Sequence, residues 1–332
     1  MTACTVAVDA MGGDRAPGEI VTGVLRGIDE LGIEVLLVGR EEEVTPLLPS
    51  PMPPGLSVLD ARDVIAMDDD PASAVRKKKD SSIVRCAQAV RDGLADAMVS
   101  AGNTGAAMAA ALLRMGRIKG VARPAIAVPL PVPGHGYQLL VDAGATTDVS
   151  PEWLVQFAIM GREYARVRLG VDEPTLGLLS IGEEPGKGDE LRKLAYPLLQ
   201  AVPGFVGNVE GRDFMRAETV DVVVTDGFTG NVALKSLEGA LRSLASLVFR
   251  VFESSPEAKA AGDVVMPMLL DAAEAYDPEL TGGGVLLGVA GVCVISHGSS
   301  SANAIVKALS VANDAVRADV PERVREAIAN AR

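Results

Sequence analysis

Aromatic residues are scarce in this 332-residue chain, at 3% of the whole, with a single tryptophan. A core organised around large rings is thereby excluded. Ala, Val, Leu and Ile must fill it, because the hydrophobic share is nonetheless 48%. Positive charge is also short: 31 Lys and Arg face 44 Asp and Glu, a net of -13. That excludes a general nucleic-acid binder, which needs a broadly basic surface. A small anion needs only a local positive site, so that class stays open. The three cysteines, Cys4, Cys86 and Cys293, lie far apart among apolar or small residues, and read as buried thiols of a reducing compartment. No charged start leads into a long apolar run, so no signal peptide is expected. The most apolar stretch, GGGVLLGVAGVCVIS from Gly282, is too short and too glycine-rich to span a bilayer. A cytoplasmic protein is expected.

What the chain does have is glycine, 35 of them, and short β-rich runs at regular intervals. These are CTVAV, EVLLVG, LSVLD, DAMVS, AIAVPLP, YQLLVD, TLGLLS, DVVVTD and GVCVIS. Amphipathic stretches such as Pro151 to Arg168 and Gly188 to Gln200 separate most of them. The alternation predicts one α/β domain over residues 1–332, a doubly wound and largely parallel sheet covered by helices. Ligands then sit beyond the carboxyl ends of the strands. Leu234, Leu237, Leu241, Leu244, Val248 and Val251 keep helical spacing. With a second helical stretch after Ser254-Ser255-Pro256, they predict a projecting helical hairpin over about 231–280. It covers either the sheet or a partner subunit.

Three strand-to-helix turns carry the functional signal: SAGNTGAA at Ser100, TDGFTGNV at Thr225 and SHGSSSAN at Ser296. Each offers glycine for close approach, polar side chains, and a helix start whose first N–H groups lack partners. Singly, each is an ordinary capped turn. Together they predict a shared anion pocket, provided the sheet brings them to one place. The first and second share a G-x-T-G form, Gly102 to Gly105 and Gly227 to Gly230. None is a nucleotide fingerprint, since no G-x-x-x-x-G-K-[ST] or G-x-G-x-x-G is present. In a further turn, the one after the first strand, VDAMGGDRAPGE, the acids Asp9, Asp14 and Glu19 read as groups that orient donors such as Arg15 rather than as a metal site.

Lys187 lies between two glycines in SIGEEPGKGDE, after a strand and before a helix. It is either a mobile cation for an oxyanion or a solvated loop lysine. His135 falls in a Pro/Gly-rich loop, whereas His297 lies inside the third turn. No Ser-His-Asp arrangement and no covalent nucleophile can be assembled, so an enzyme of this kind positions an external nucleophile. The run Arg76-Lys77-Lys78-Lys79 is a solvated loop or a landing place for an acidic partner.

Taken in order, AVDAMGGDRAPGEIVTG, DPASAVRKKKDSS, VSAGNTGAAMA, IGEEPGKGDE, GNVEGRD, DVVVTDGFTGNVALKSLEG and GGGVLLGVAGVCVISHGSSSANAI resemble, nearly end to end, the PlsX family of bacterial phosphate acyltransferases. The resemblance implies conversion of acyl-[acyl carrier protein] and orthophosphate into acyl phosphate and free carrier protein. It further implies a homodimer, peripheral membrane association, and a fold related to phosphotransacetylases and to isocitrate and isopropylmalate dehydrogenases; no cofactor or metal is expected. The family's functional lysine and asparagine match Lys187 and Asn231. On that reading Asp226 and His297 orient neighbours, while Asn103, Thr104, Gly105, Gly227, Thr229, Gly230, Ser299 and Ser300 hold phosphate. Arg76, Lys77, Lys78 and Lys79, or Arg212 and Arg216, dock the acidic carrier protein. Val264, Val265, Met266, Met268 and Leu269 form a hairpin tip that meets the membrane. The chain departs from the family pattern at Val141-Asp142-Ala143-Gly144-Ala145-Thr146, which ends in threonine, and at Ser180, which stands for asparagine. Rival readings are a phosphotransacetylase acting on acyl-CoA, a β-decarboxylating dehydrogenase, and a non-catalytic scaffold.

Overall fold

The computed structural model describes residues 3–216, 218–274, 276 and 281–331. The chain begins with β1 (Thr5–Asp9), α1 (Gly18–Leu31), β2 (Glu34–Gly39), a short α2 (Glu41–Val44) and β3 (Leu56–Asp60). It continues through α3 (Pro71–Lys77), α4 (Ser82–Arg91), β4 (Ala97–Ser100), α5 (Thr104–Arg114), β5 (Ala125–Val132) and β6 (Gly136–Val141). Then come α6 (Pro151–Arg168), β7 (Leu176–Leu179), α7 (Glu190–Leu199), β8 (Phe205–Val209) and β9 (Val222–Val224). The long helices α8 (Gly227–Phe252) and α9 (Pro256–Glu274) precede β10 (Gly284–Leu287), β11 (Val292–Ile295), α10 (Ala302–Arg317) and α11 (Val320–Asn330).

All eleven strands join one sheet in the order β3-β2-β1-β4-β11-β10-β5-β6-β9-β7-β8. The nine runs read from sequence are all strands, and β8 and β10 are added to them. FVGNV hides β8 behind a glycine and an asparagine, and GVLL hides β10 inside the long apolar stretch. Strands buried on both faces read as unbroken apolar runs. VVV of β9, LGLL of β7 and VCVI of β11 are wholly buried. The core contains few rings, as the composition requires: Phe157 and Tyr164 are the only aromatic side chains among its largest fully buried members.

Strand direction matters more for function than strand number. β3, β2, β1, β4 and β11 are mutually parallel. β10 is antiparallel to both β11 and β5, and β5 is antiparallel to β6. Following those reversals, β6, β9, β7 and β8, parallel among themselves, run opposite to the first group. The helix-rich halves are thus joined through an antiparallel centre.

α8 leaves the sheet after its first turn, and only Gly227 and Gly230 of its 26 residues are buried. α9 folds back on it, with Gly262 against the ring of Phe252. The turn between the two helices is the polar Glu253-Ser254-Ser255. Val264, Val265, Met266, Met268 and Leu269 therefore lie along the middle of α9, not at a hairpin tip, because α9 begins earlier, at Pro256. Residues 275 and 277–280 of the expected hairpin lie outside the described residues. No helix among the described residues is long and apolar enough to cross a membrane.

Candidate active site

Neighbouring parallel strands deliver their following loops to one end of a sheet. β6, β9, β7 and β8 do so here, with Val224 level with both Val141 and Leu178. The loops after β6 and β7 hold Asp142 to Thr146 and Ser180 to Asp189, Thr225 and Asp226 lead from β9 into Asn231 at the start of α8, and Asn208 lies within β8, next to its last residue. Lys187 and Asn231 thus belong to adjacent strand ends, about 5 Å apart by strand spacing.

Asp142 organises the first loop. Fully buried, it accepts N–H bonds from Ile126, Gly144 and Ala145 at 2.9 Å and from Thr146 at 2.7 Å. Burial pushes its carboxyl above the usual range, against the pull of these four donors. The second loop closes on the first, and the peptide N–H of Gly227 donates to the Thr146 carbonyl at 2.8 Å. A Cβ on Gly227 would lie 2.6 Å from Asp142 Oδ2, and one on Gly230 would overlap the Asp142 carbonyl. Both glycines are needed for this backbone packing. Beyond them Asn231 is exposed, its side chain beside Gly144.

The two departures from the family pattern fall here as well. Thr146 donates its hydroxyl to the Pro124 carbonyl at 3.0 Å. Ser180 Oγ is buried without a hydrogen-bond partner, below Gly188.

Asp226 caps α8 by accepting the Thr229 N–H at 2.8 Å and pairs with the guanidinium of Arg192. Burial opposes its ionisation, but the Thr229 and Arg192 hydrogen bonds outweigh it and hold the carboxyl below the ordinary range. Thr229 Oγ1 accepts from Arg192 at 3.2 Å, so both residues orient their neighbours. Lys187 sits on the surface of the third loop. Its backbone N–H donates to the Glu184 carbonyl at 3.0 Å, and Asn208 Nδ2 reaches that same carbonyl at 2.8 Å. Its ammonium has no hydrogen-bond or ion-pair partner among the described residues.

Sequence reasoning missed Arg192, Asn208 and the organising part of Asp142. Asn208 lay in a quoted motif, GNVEGRD. Arg192 had no signal, being one arginine among ordinary helix residues.

The other candidates form a second cluster, after β4 and β11. Asp9 is buried there and accepts Ser100 Oγ at 2.7 Å and the Met11 N–H at 3.2 Å. Asn103 caps α5 by accepting the Ala106 N–H at 3.0 Å, and its amide donates to the carbonyls of Met67 at 3.0 Å and of Ala66 and Asp69 at 3.3 Å. Gly105 packs against Pro71, while Thr104 is exposed. Ser300 Oγ bonds Ser296 Oγ at 2.7 Å, and the backbone N–H of Ser300 donates to the His297 carbonyl at 3.0 Å. Arg15 donates to the carbonyl of Ser299, whose side chain is exposed, at 2.6 Å. Glu19 accepts the Ala302 N–H at 2.7 Å and so occupies part of the start of α10. Asp9 and Glu19 thus act as acceptors that shape the turn.

The G-x-T-G echo is structural. In each half a buried aspartate at a strand end, Asp9 or Asp142, leans on the glycines of the turn after the neighbouring parallel strand. The two clusters are separate, however. β4 and β9 stand five strands apart, about 24 Å at normal strand spacing, and run in opposite directions. One orthophosphate is smaller than that spacing, and the Lys187 loop and the Asn231 turn follow directly paired strands, whereas the other two turns follow β4 and β11.

Of the basic residues expected at a carrier interface, Lys78 is tied to Asp69 at 2.5 Å and to the Val64 carbonyl at 2.9 Å. Arg212 is paired with Glu183 at 2.9 Å and Glu210 at 2.6 Å, and Arg216 lies 3.9 Å from Asp213. Arg76, Lys77 and Lys79 are exposed. A cavity of about 380 Å³ joins Arg76 and Lys79 to Leu113 and Arg114. A larger one of about 590 Å³, between α6, α7 and α11, includes none of the candidate residues. All three cysteines are buried. Burial pushes the Cys4 thiol up to about 11 and Cys293 up to about 12, and raises Cys86 well above the usual range, so none is poised as a nucleophile.

The fold is shared with a phosphotransacetylase from Streptococcus pyogenes, at a TM-score of 0.63 and 18% identity over 95% of this chain and 94% of that one. A branched-chain phosphotransacylase from Enterococcus faecalis gives 0.60 at 15% identity, over 94% and 99%. In sequence, a phosphate acyltransferase from Desulfitobacterium hafniense strain Y51 is 48% identical over 323 residues, 97% of this chain and 96% of the relative. One from Heliobacterium modesticaldum is 46% identical over 97% of each. The model of a family described as fatty acid synthesis protein matches residues 4–323. The chain belongs to the fatty acid synthesis protein family, the PlsX family that its motifs resemble.

Proposed function

We infer that this chain is a phosphate acyltransferase that moves an acyl group from the thioester of acyl carrier protein to orthophosphate. A phosphate oxygen attacks the carbonyl carbon, the tetrahedral intermediate collapses, and the carbon–sulfur bond breaks. Acyl phosphate leaves with the new carbon–oxygen bond, and the carrier thiolate takes up the proton that phosphate gives up. No side chain becomes covalently bound, in keeping with the three buried thiols.

The observation that carries this reading is the Lys187 ammonium, which is without a partner among the described residues and stands one strand away from the Asn231 turn. A cation and an amide donor so placed hold phosphate beside the thioester and stabilise the oxyanion that forms. Attack requires the reacting atoms to lie about 3 Å apart, so phosphate belongs in the same cluster as Lys187 and Asn231. Thr104, Ser299 and His297, in the other cluster, can then touch only a more remote part of a long substrate.

The exposed side chains Leu244 and Leu247 of α8 form the face we assign to a second copy of the chain. Val264 and Met268, both about 70% exposed, form an edge of α9 suited to a membrane surface. The acidic carrier protein is assigned to Arg76, Lys77 and Lys79, the members of the basic set not held by acids.

The deciding experiment incubates acyl-carrier thioester with ³²P-labelled orthophosphate. Labelled mixed anhydride, with release of one carrier thiol per anhydride, is expected. If the thioester survives in the presence of phosphate, the reading fails; if acyl-CoA reacts and acyl carrier does not, the chain is instead a phosphotransacetylase.

A further inference from the structure

We propose that Arg192 is a positioning residue for this acyl transfer: one buried guanidinium ties the loop that carries Lys187 to the turn that carries Asn231. The proposal rests on the phosphate acyltransferase reading for its kinetic part and on geometry alone for the tie.

Arg192 stands in the first turn of α7, 7% exposed. On its own side it reaches back across the Lys187 loop. Nη1 donates to the cap residue Asp189 at 2.9 Å, and Nε donates to the carbonyl of Leu179, the last residue of β7, at 3.3 Å. Nη2 crosses to the next strand end, where it meets the Asp226 carboxylate, Thr225 Oγ1 at 3.0 Å and Thr229 Oγ1 at 3.2 Å. Both ends of the Lys187 loop are therefore fastened to the segment Thr225 to Thr229, which ends two residues ahead of Asn231. Gly188, next to Lys187, lies directly on the stem of Arg192: with φ at +104°, a Cβ there would stand 2.6 Å from the arginine Cβ. Because the Lys187 ammonium is held by no other group among the described residues, its place is set by this loop backbone.

Only arginine suits the position. Its planar fork supplies five donors in fixed directions, and its charge is matched by two carboxylates, as a buried cation requires. Lysine keeps the charge but cannot serve both strand ends at once. The charged groups around Asp226 are Arg192, with Asp189 behind it on α7, and Asp142, whose Oδ2 lies against Gly227 at the end of β6.

The test compares Arg192→Lys and Arg192→Met in the full chain, assayed by phosphate-dependent release of carrier thiol. Both should lower kcat by about 10- to 100-fold through loss of alignment, with KM for the carrier thioester unchanged. In Arg192→Met the acid limb of the pH profile should move to higher pH, because Asp226 loses the guanidinium. Arg192→Lys should return that limb toward the parent without restoring kcat. Parental kcat and pH profile in Arg192→Met would overturn the proposal. So would a loss of rate no greater than the loss of folded protein, with the pH profile unmoved. If the parent itself shows no acyl transfer, the reading above fails and the tie is judged by amide hydrogen exchange. Faster exchange at both Lys187 and Thr229 in Arg192→Lys upholds it, and parental exchange at either sinks it.

Discussion

Gly230 of α8 lies against the backbone carbonyl of Asp142, so close that any Cβ at that position would overlap the carbonyl oxygen and carbon. Backbone cannot swing aside as a flexible side chain can. Gly230→Ala should therefore cost about 3 kcal/mol, at the upper end of overpacking effects, and displace Asn231. The lower urea midpoint and lower kcat should appear together; an alanine variant with parental stability would show that the two loops are not packed as described.

Lys187→Ala and Asn231→Ala should each reduce kcat by about 100-fold, the usual scale for removing one donor to a developing oxyanion. Neither side chain is buried, so thermal midpoints should stay near the parent's. Thr104→Val and Ser299→Ala, in the other cluster, should leave KM for phosphate unchanged. A phosphate KM that rises for that second pair and not for the first would move the anion to the far end of the sheet.

Asp226 gives a pH dependence with a definite sign. Its folded-state carboxyl lies below the ordinary range, because the bonds from Thr229 and Arg192 outweigh burial. Its contribution to stability is thus complete above the unfolded value, about 3.9, and disappears as pH falls through the folded one. Asp226→Asn keeps a competent helix cap but removes the charge. Its urea midpoint should be lower than the parent's at pH 7 and converge with it in acid; a constant gap at every pH would assign the effect to packing.

The apolar edges of α8 and α9 can be told apart by charge. Val264→Asp with Met268→Asp should abolish co-sedimentation with anionic liposomes while the sedimentation coefficient stays that of the parent. Leu244→Asp with Leu247→Asp should do the opposite and convert a dimer into a monomer. Liposome binding that survives the first pair rejects the α9 edge as the membrane contact.

Carrier docking predicts a similar contrast. Arg76→Glu with Lys79→Glu should raise KM for acyl carrier about tenfold and abolish its salt dependence, as loss of steering charge does. Arg212→Glu should act less on KM, since Arg212 is already matched by Glu183 and Glu210. A parental KM in both variants would place the carrier elsewhere.

Much of the fold was legible because its signals are local. Apolar-rich runs of five to seven residues marked nine of the strands, and helical spacing marked α6 from Pro151 to Arg168, the span observed. Asn103, Asp226 and Ser301 announced their helix starts, and each side chain accepts an N–H there. β8 and β10 escaped notice where glycine and asparagine diluted the pattern or a longer apolar run swallowed it.

The sequence by itself determined the alternation of strand and helix, the small-residue turns, the scarcity of positive charge and the family. Tertiary structure alone decided which turns meet. A strand's residues record whether its faces are buried, not which way its neighbour runs. The antiparallel centre of β10, β5 and β6 therefore separated two turns that look alike in sequence. Nor does local pattern reveal a contact between residues 34 apart, such as that of Arg192 with Asp226. Only the pairing of β7 with β9 brings those two side chains to the same strand ends, where a buried charge must find its partner.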